Sequence, residues 1–364
     1  MATPEFDICV IGGGAAGLVV SAGGSTLGAK VALIEKHEGG MGGDCLHYGC
    51  VPSKTLLRSA KVAHQMRHAD HYAISPAIPQ IDIGKVMQRV AGVIASIEPN
   101  DSPERFRSLG VDVSFGAGQF TDPGTFTVGN RKITARNFVI ATGSRPGVPP
   151  IPGLNDVPFL TNETVFKLNE PVPSMIVIGA GPIGCEMAQA FVRLGSKVMV
   201  VDLSPTLLPR EDADLAAVIR KQMEADGIEF YLGVTPTKAE GTAGAISLWI
   251  KDNDGREIKL DASHLLVAAG RKMNVEGLGL EAAGVQTEKG RIVSDATLRT
   301  TNKHIYVCGD VAGSFQFTHM AEHHAGVVLR NILNPLPFKF AKTETRVIPW
   351  CTFTEPELAR VGVS

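Results

Sequence analysis

A glycine pattern that occurs twice constrains the fold of this chain more than any other feature. Residues 12–17 read Gly-Gly-Gly-Ala-Ala-Gly and residues 179–184 read Gly-Ala-Gly-Pro-Ile-Gly, so both contain Gly-x-Gly-x-x-Gly. Each copy follows a short apolar run and precedes a stretch suited to a helix and then a second apolar run. An acidic residue closes that second run 23 residues after the first glycine, Glu35 in one copy and Asp202 in the other. The arrangement predicts two strand–helix–strand units in one chain.

Both units have the features of a dinucleotide site. The first glycine makes a tight turn, the second admits a pyrophosphate, and the third lets the helix pack closely on the strand. The helix N-terminus faces the phosphates, and the acid accepts hydrogen bonds from a ribose diol. Two complete fingerprints predict two bound dinucleotides, or one cofactor and one co-substrate. The predicted contacts are Gly12, Gly14, Gly17 and Glu35 in the first unit and Gly179, Gly181, Ile183, Gly184 and Asp202 in the second.

The apolar pattern of the remaining chain predicts an α/β protein of two or three domains, as its 364 residues also suggest. We expect helices at residues 18–27, 55–67, 83–109 (interrupted near 98–100), 214–226 and 317–331. Residues 126–128 and 132–135 predict a hairpin, and residues 138–141 a separate buried strand. Further strands are expected at residues 6–11, 31–34, 111–115, 174–178, 197–201, 228–232, 245–250, 257–260, 265–269 and 305–308. Four prolines between residues 146 and 152 predict a stiff linker and a domain boundary.

Charge and hydropathy exclude several classes of protein. A net charge of −2 predicts neither nucleic-acid binding nor attachment to an acidic membrane surface. Residues 8–29 carry no charge, but their glycines, and the acids just before them, argue against a membrane span or a signal peptide. The six cysteines are scattered apart from one close pair, unlike a secreted disulfide framework. We therefore expect a cytoplasmic protein, with no structural metal site.

The close cysteine pair lies in a motif, residues 42–54, that begins seven residues after Glu35. Four residues separate Cys45 from Cys50, and Gly49 stands just before the second cysteine, so the two sulfurs can meet without a long loop. Lys54 stands one helical turn past Cys50 and adds positive potential, which favours the reactive thiolate. Two buried cysteines in a glycine-rich loop are the simpler alternative interpretation of this spacing.

The residues around the pair carry a specific resemblance. Gly43, Cys45, Leu46, Gly49, Cys50, Pro52, Ser53 and Lys54 resemble the redox-active disulfide motif of the class I pyridine nucleotide–disulfide oxidoreductases. Dihydrolipoamide dehydrogenase, glutathione reductase and mercuric reductase belong to that family. The chain departs from the motif at His47-Tyr48, and its Gly270-Arg271-Lys272-Met273-Asn274 lacks the proline of the family's Gly-Arg-x-Pro-Asn.

The resemblance covers essentially the whole chain and implies a fold and its cofactors. It implies two doubly wound, Rossmann-like domains: an FAD domain in two parts (residues 1–150, with the redox disulfide, and 273–340) and an NAD(P) domain (residues 151–272) between them. Residues 341–364 resemble the opening strand of a dimerisation domain, most of which would be missing, so we expect a truncated form of a homodimer. The FAD contacts implied beyond the first fingerprint are Lys36, Gly43, Asp44, Lys54, Ala117, Ala141, Thr142, Gly143, Arg271, Asp310 and Thr318, and Gly270 would join the NAD site.

The resemblance also implies the reaction and its catalytic residues. Electrons would pass from NADH through FAD to a Cys45–Cys50 disulfide, with Cys50 beside the flavin and Cys45 facing a disulfide, dithiol or metal-thiol substrate. In the family a glutamate placed like Glu186 pairs with the lysine placed like Lys54 beside the flavin. Asp202 favours NADH over NADPH, because a carboxylate repels a 2′-phosphate.

Three interpretations of the function stay open at this stage. The first is a disulfide oxidoreductase of the dihydrolipoamide dehydrogenase or mercuric reductase branch. The second is an NADH oxidase, diaphorase or quinone reductase in which the disulfide is vestigial. The third is a redox-sensing flavoprotein that does not turn over. Glutathione is disfavoured as a substrate, because Ala22-Gly23-Gly24 stand where glutathione reductases carry basic residues.

Overall fold

The protein folds into two compact units, each made of three separate segments. The structure, a computed structural model, describes residues 3–313, 315–336 and 338–362. One unit combines the described parts of residues 1–47, 95–145 and 272–345. The other combines those of residues 48–94, 146–271 and 346–364. By their contacts, residues 48–94 therefore belong to the unit that contains the second fingerprint. The division into FAD, NAD(P) and dimerisation domains that we expect from the sequence stays a prediction.

Eight α-helices form within the described residues. They are α1 (Ala15–Thr26), α2 (Gly43–His47), α3 (Cys50–Arg67), α4 (Ile83–Ile97), α5 (Pro103–Ser108), α6 (Pro182–Arg193), α7 (Ala213–Ala225) and α8 (Thr318–Leu333). Helix α3 begins at Cys50, four residues before Lys54, and the interruption expected near residues 98–100 separates α4 from α5. Among the helices of the described ranges, none is both long and apolar enough to span a bilayer.

Twenty β-strands form in the same ranges. They are β1 (Phe6–Ile11), β2 (Val31–Glu35), β3 (Asp112–Phe115), β4 (Gly118–Asp122), β5 (Thr125–Val128), β6 (Arg131–Ile140), β7 (Ser144–Pro146), β8 (Ser174–Ile178), β9 (Lys197–Asp202), β10 (Glu229–Leu232), β11 (Thr235–Thr242), β12 (Ala245–Lys251), β13 (Glu257–Ala262), β14 (His264–Val267), β15 (Arg271–Met273), β16 (Thr287–Glu288), β17 (Arg291–Ile292), β18 (Ile305–Val307), β19 (Pro349–Thr352) and β20 (Leu358–Val361).

The first unit is built on a sheet with strand order β3-β2-β1-β6-β5-β4, and β18 also pairs with β6. Strands β1, β2, β3, β18 and the second half of β6 are parallel, and α1 and α8 pack against each other. The strand expected at residues 138–141 is wrong as a separate element, because β6 is continuous. Its first half pairs with β5 in the hairpin, and its second half runs parallel to β1.

The second unit is built on a parallel sheet with strand order β10-β9-β8-β14. Helix α6 connects β8 to β9 and packs on α3, so the fingerprint helix and the helix that begins at Cys50 are neighbours. A separate antiparallel sheet, β11-β12-β13, belongs to the same unit. Strand β11 escaped prediction because its sequence, Thr-Pro-Thr-Lys-Ala-Glu-Gly-Thr, is polar and is held by pairing with β12. Both units have the Rossmann-like α/β fold that the sequence predicts.

The last described segment forms a hairpin in place of the lone strand expected from the sequence. Strand β19 pairs antiparallel with β20, with Cys351 opposite Ala359. Buried Leu358 joins the hydrophobic core of the second unit, which also contains Leu56 of α3 and Ala190 of α6. The hairpin is thereby fixed against the two helices that carry the redox motif and the second fingerprint.

Close packing of the glycines is the same in both fingerprint units. A Cβ on Gly17 would lie 1.9 Å from the carbonyl oxygen of Gly12, and a Cβ on Gly184 would lie 1.9 Å from that of Gly179. Such distances exclude any side chain, so the third glycine brings each helix against its own turn. The third glycine of each sequence pattern therefore makes the same close contact in both units.

Candidate cofactor and redox sites

The first fingerprint forms a loop that is held from both sides. The Gly12 N–H donates to the carbonyl of Ile34 at 2.7 Å, and the Gly13 N–H donates to Glu35 Oε2 at 2.7 Å. Glu35 Oε1 accepts a further hydrogen bond from the His37 N–H at 3.2 Å. The acid expected to bind a ribose thus also fixes the glycine loop, and each of its oxygens retains acceptor capacity.

The second fingerprint repeats this arrangement with different residues. The Gly179 N–H donates to the carbonyl of Val201 at 2.8 Å, and the Ala180 N–H donates to Asp202 Oδ2 at 2.6 Å. Asp202 Oδ1 accepts from the Ser204 N–H at 2.7 Å. Sequence reasoning missed this anchoring role of the two acids, although their identical spacing from the glycines was the available signal.

The central glycine of each fingerprint faces open space, as a bound pyrophosphate requires. A Cβ on Gly181 would meet no atom within 4 Å, and one on Gly14 would meet only the Cα of Gly43, at 3.8 Å. Gly14 and Gly181 precede helices α1 and α6, whose first turns carry no acidic residue. The residues present therefore fit dinucleotide phosphates at both helix N-termini.

The beginning of the redox motif lies against the first fingerprint loop. The Gly42 N–H donates to the Gly13 carbonyl at 2.9 Å, and a Cβ on Gly43 would lie 2.7 Å from the Gly14 Cα. This contact brings Gly43, and with it Asp44 of α2, to the predicted FAD phosphates. The unusual His47 is accommodated locally, since its Nε2 lies 2.8 Å from the Met41 carbonyl oxygen.

Two other predicted FAD contacts are fixed by hydrogen bonds within the first unit. The Ser144 hydroxyl donates to Asp310 Oδ2 at 2.5 Å. The Thr142 hydroxyl donates to the Asn274 carbonyl at 2.7 Å, and Asn274 Nδ2 donates back to the Thr142 carbonyl at 2.9 Å. Asn274 therefore holds the Ala-Thr-Gly run that includes Gly143, a role that sequence reasoning did not assign.

The remaining predicted cofactor residues have less distinctive surroundings. Lys36 and Ala117 are exposed, and Ala141 is buried just after β6. Thr318 begins α8, and Arg271 begins β15. Ile183 lies in the first turn of α6, and Gly270 has a φ of +114° just before β15. Their assignment to FAD or NAD stays a prediction.

The predicted partner of the redox-motif lysine is in contact with it. Lys54 Nζ donates to Glu186 Oε2 at 2.7 Å, and the Lys54 and Glu186 side chains are 36% and 6% exposed. Glu186 Oε1 accepts from the Phe353 N–H at 2.9 Å, while Lys54 Nζ lies 4.6 Å from the centre of the Phe353 ring. Both carboxylate oxygens of a nearly buried acid are thus satisfied, as burial of a charge requires.

A second network holds the hairpin that supplies Phe353. The Gln189 amide donates to the Glu355 carbonyl at 2.9 Å and accepts from the Glu355 N–H at 2.7 Å. The Glu355 carboxylate pairs with Arg193 at 2.5 Å and Lys61 at 2.8 Å. These residues surround a cavity of about 220 Å³ that Lys54 also lines. Sequence reasoning missed this network, because its members lie far apart in the chain.

The two motif cysteines stand at helix positions that differ in exposure. Cys45 is half-buried within α2, and Cys50 is exposed at the first position of the 18-residue α3. The positive end of the α3 dipole and the Lys54 ammonium one turn later both favour a thiolate at Cys50. Cys9, Cys185 and Cys308 have the opposite surroundings, since burial raises the pKa of each thiol and keeps it protonated.

Three histidines, His64, His68 and His71, lie near one another on α3 and in the turn that follows it. The His64 and His68 rings stack with their centres 4.2 Å apart, and the centres of the His68 and His71 rings are 5.9 Å apart. Across residues 3–313, 315–336 and 338–362, no group of three or more His, Cys, Asp or Glu side chains is arranged to hold a metal ion.

Comparison with known proteins identifies the family. The family model described as pyridine nucleotide-disulphide oxidoreductase matches residues 6–325. The chain belongs to this family. Its members use FAD and NAD(P)H, so the predicted enzyme class, an FAD-dependent pyridine nucleotide–disulfide oxidoreductase, and its two cofactors are confirmed at the level of the family.

Individual relatives place the chain near two branches. It is 34% identical to a mercuric reductase of Staphylococcus aureus over 361 residues. The aligned part covers 99% of this chain and 65% of that relative. It is 33% identical over 381 residues to a dihydrolipoyl dehydrogenase of Bacillus subtilis (strain 168), covering 100% of this chain and 78% of that relative. The chain therefore spans about two-thirds to four-fifths of the length of these relatives.

A solved structure has the same fold. The Cu(II) complex of the HOCl-induced flavoprotein disulfide reductase RclA from Escherichia coli superposes with a TM-score of 0.87 and 27% identity. The superposition covers 100% of this chain and 78% of that protein. The predicted fold class is confirmed by this similarity and by the family match.

The contacts of Glu186 lead to a prediction for stability. Replacing Glu186 with Leu removes the acceptors of the Lys54 ammonium and the Phe353 N–H. We expect the free energy of unfolding to fall by about 2 kcal/mol, less than for a fully buried pair because Lys54 is partly solvated. Chemical denaturation measures this change.

A surface ion pair in the same unit serves as the control. Glu224 pairs with Arg220 one turn away on α7, and both side chains are about half exposed. Glu224→Gln should cost no more than about 0.5 kcal/mol. Equal losses for the two variants would contradict a special role of the Glu186 contacts.

Proposed function

We propose that this protein is an FAD- and NADH-dependent oxidoreductase that reduces a small disulfide or metal-thiol substrate at Cys45 and Cys50. The contact of Lys54 with Glu186 carries the proposal. It places a compensated positive charge one turn after Cys50, on the helix that begins at that cysteine, and it ties that helix to the second fingerprint. With a dithiol substrate the same reaction runs in reverse.

Each group of site residues has its own role in the proposed reaction. FAD, when bound, supplies the group that accepts hydride from NADH and passes the electron pair on. The loops at Gly12 and Gly179 hold the two dinucleotides, and Glu35 and Asp202 fix those loops. Lys54 supplies positive charge beside Cys50. In the net reaction NADH and one proton reduce the Cys45–Cys50 disulfide to two thiols and release NAD⁺.

The preference for NADH is proposed from the carboxylate of Asp202. Both of its oxygens accept backbone N–H groups, at 2.6 Å and 2.7 Å, so the carboxylate is held at the end of β9. A 2′-phosphate about 4 Å away would be repelled by about 4 kcal/mol for each unit of its negative charge, at an effective dielectric constant of about 20. No arginine stands closer in sequence after Asp202 than the exposed Arg210.

The packing of α1 supports the prediction that glutathione is disfavoured as a substrate. Positions 23 and 24 of α1 pack closely, since a Cβ on Gly23 would lie 2.7 Å from Leu329 and one on Gly24 would lie 3.2 Å from Val31. Longer basic side chains at these positions would require their neighbours to shift. Family members act on small molecules and are typically homodimers. We extend both properties, and a cytoplasmic location, to this protein as proposals.

Serine at position 50 tests the proposed role of the disulfide. The Cys50→Ser variant, loaded with FAD, should keep NADH-dependent reduction of artificial electron acceptors within about threefold and lose reduction of small disulfides by more than about 100-fold, because a hydroxyl forms no disulfide. Cys351→Ser serves as the matched thiol control and should retain both activities. Disulfide reduction that survives in Cys50→Ser would refute the proposal and favour a diaphorase with a vestigial disulfide.

A change at Asp202 tests the choice of nicotinamide cofactor. The Asp202→Asn variant keeps one acceptor for the loop N–H groups but removes the negative charge. We expect the ratio of kcat/KM for NADPH to that for NADH to rise about tenfold or more, since 1.4 kcal/mol corresponds to a factor of ten. The ratio is measured by steady-state kinetics with either cofactor. A wild-type preference for NADPH would overturn the assignment.

A further inference from the structure

A buried histidine of α8 contacts the turn that carries Asp310. His324 is 1% exposed, and its Nδ1 accepts a hydrogen bond from the Gly309 N–H at 3.3 Å. Gly309 precedes Asp310 in the short helical turn Gly309–Ala312 that follows β18. The side chain of one helix therefore holds the backbone of a turn that lies 15 residues earlier in the chain.

That turn is packed against other parts of the FAD site. Gly309 has a φ of +79°, and a Cβ there would lie 3.0 Å from the Cβ of Ala16 and 3.4 Å from that of Ala321. The Cys308 N–H donates to the Ile140 carbonyl at 2.9 Å, and the Ser144 hydroxyl bonds Asp310. The position of the turn is thus linked to the first turn of α1 and to the end of β6.

The protonation state of His324 suits this role. Burial, and then the neighbouring His323, lower the pKa of His324 to about 4, so the ring is neutral near pH 7. A neutral imidazole has one nitrogen that accepts and one that donates, and the contact with the Gly309 N–H assigns the acceptor to Nδ1.

We propose that His324 is a positioning residue of the FAD site, which acts through the Gly309 N–H to hold Asp310 where the cofactor binds. The inference rests on the proposed binding of FAD. Without an acceptor at position 324, the Gly309 N–H would be buried and unsatisfied. The turn would then shift to find another partner, and Asp310 would move with it.

Two substitutions separate the hydrogen bond from simple packing. In His324→Asn, Oδ1 takes the branch position of Nδ1 and still accepts a hydrogen bond, although the side chain is smaller. In His324→Leu, the apolar volume is kept and the acceptor is lost. We expect the Kd for FAD, measured on apoprotein from the change in flavin fluorescence, to rise about 5- to 100-fold in His324→Leu and to stay within about threefold in His324→Asn.

A neighbouring histidine supplies the control. His323 lies next to His324 on α8 and is exposed, and its Nε2 accepts from the Glu344 N–H at 3.1 Å. His323→Leu removes a similar hydrogen bond away from the Asp310 turn and should leave the Kd for FAD unchanged. Thermal unfolding of each apoprotein shows which variants are folded.

The possible results distinguish the inference from the proposed function. An unchanged Kd in a folded His324→Leu variant, or an equal loss in His324→Asn and His324→Leu, would overturn the positioning role. If His324→Leu does not fold, retention of FAD affinity in His324→Asn still supports that role, and its loss refutes it. A wild-type protein that fails to bind FAD would instead refute the proposed function.

Discussion

The ion pair between Lys54 and Glu186 is the interaction on which the second unit depends. It joins the second turn of α3 to the second turn of α6, and the Phe353 backbone adds the C-terminal hairpin to the same carboxylate. Three distant chain segments therefore meet at one nearly buried acid. Because a buried carboxylate needs both charge compensation and hydrogen bonds, each segment limits where the others can lie.

The duplicated fingerprint has a simpler physical basis. In each unit the acid at the end of the second strand holds the N–H of the residue after the first glycine, and the third glycine brings the helix against that turn. One acid thus shapes the phosphate loop and remains available to a ribose. The same contact in both units accounts for the shared spacing of Glu35 and Asp202 from the first glycine.

Much of the fold could be predicted from the sequence, because local patterns determine it. Strands β1, β2, β8 and β9 are short apolar runs beside glycine turns, and their positions follow from the chain itself. Predictions from the sequence were wrong or missing where pairing between distant strands decides the structure. The polar strand β11 exists because β12 pairs with it, β6 continues past the polar Arg136-Asn137 because both of its halves have partners, and β19 is paired by β20.

In the candidate site, too, some residues could be predicted from the sequence and others could not. The cysteine motif, the fingerprints and the partner of Lys54 follow from spacing and from the family resemblance. The contacts of Asn274 with Thr142, of Gln189 with Glu355, and of His324 with Gly309 join residues from 15 to 166 positions apart, and no sequence pattern marks them. Such residues are recognised only once the fold places them together.

The central claim is that reducing equivalents from NADH reach the Cys45–Cys50 pair. An anaerobic titration of the FAD-loaded protein with NADH, followed by a count of accessible thiols in the unfolded chain, tests it most directly. The account predicts two new thiols per chain after one equivalent of NADH, and none in the Cys50→Ser variant. Loss of the oxidised flavin absorbance in the wild-type protein, without any new thiol after excess NADH, would contradict it.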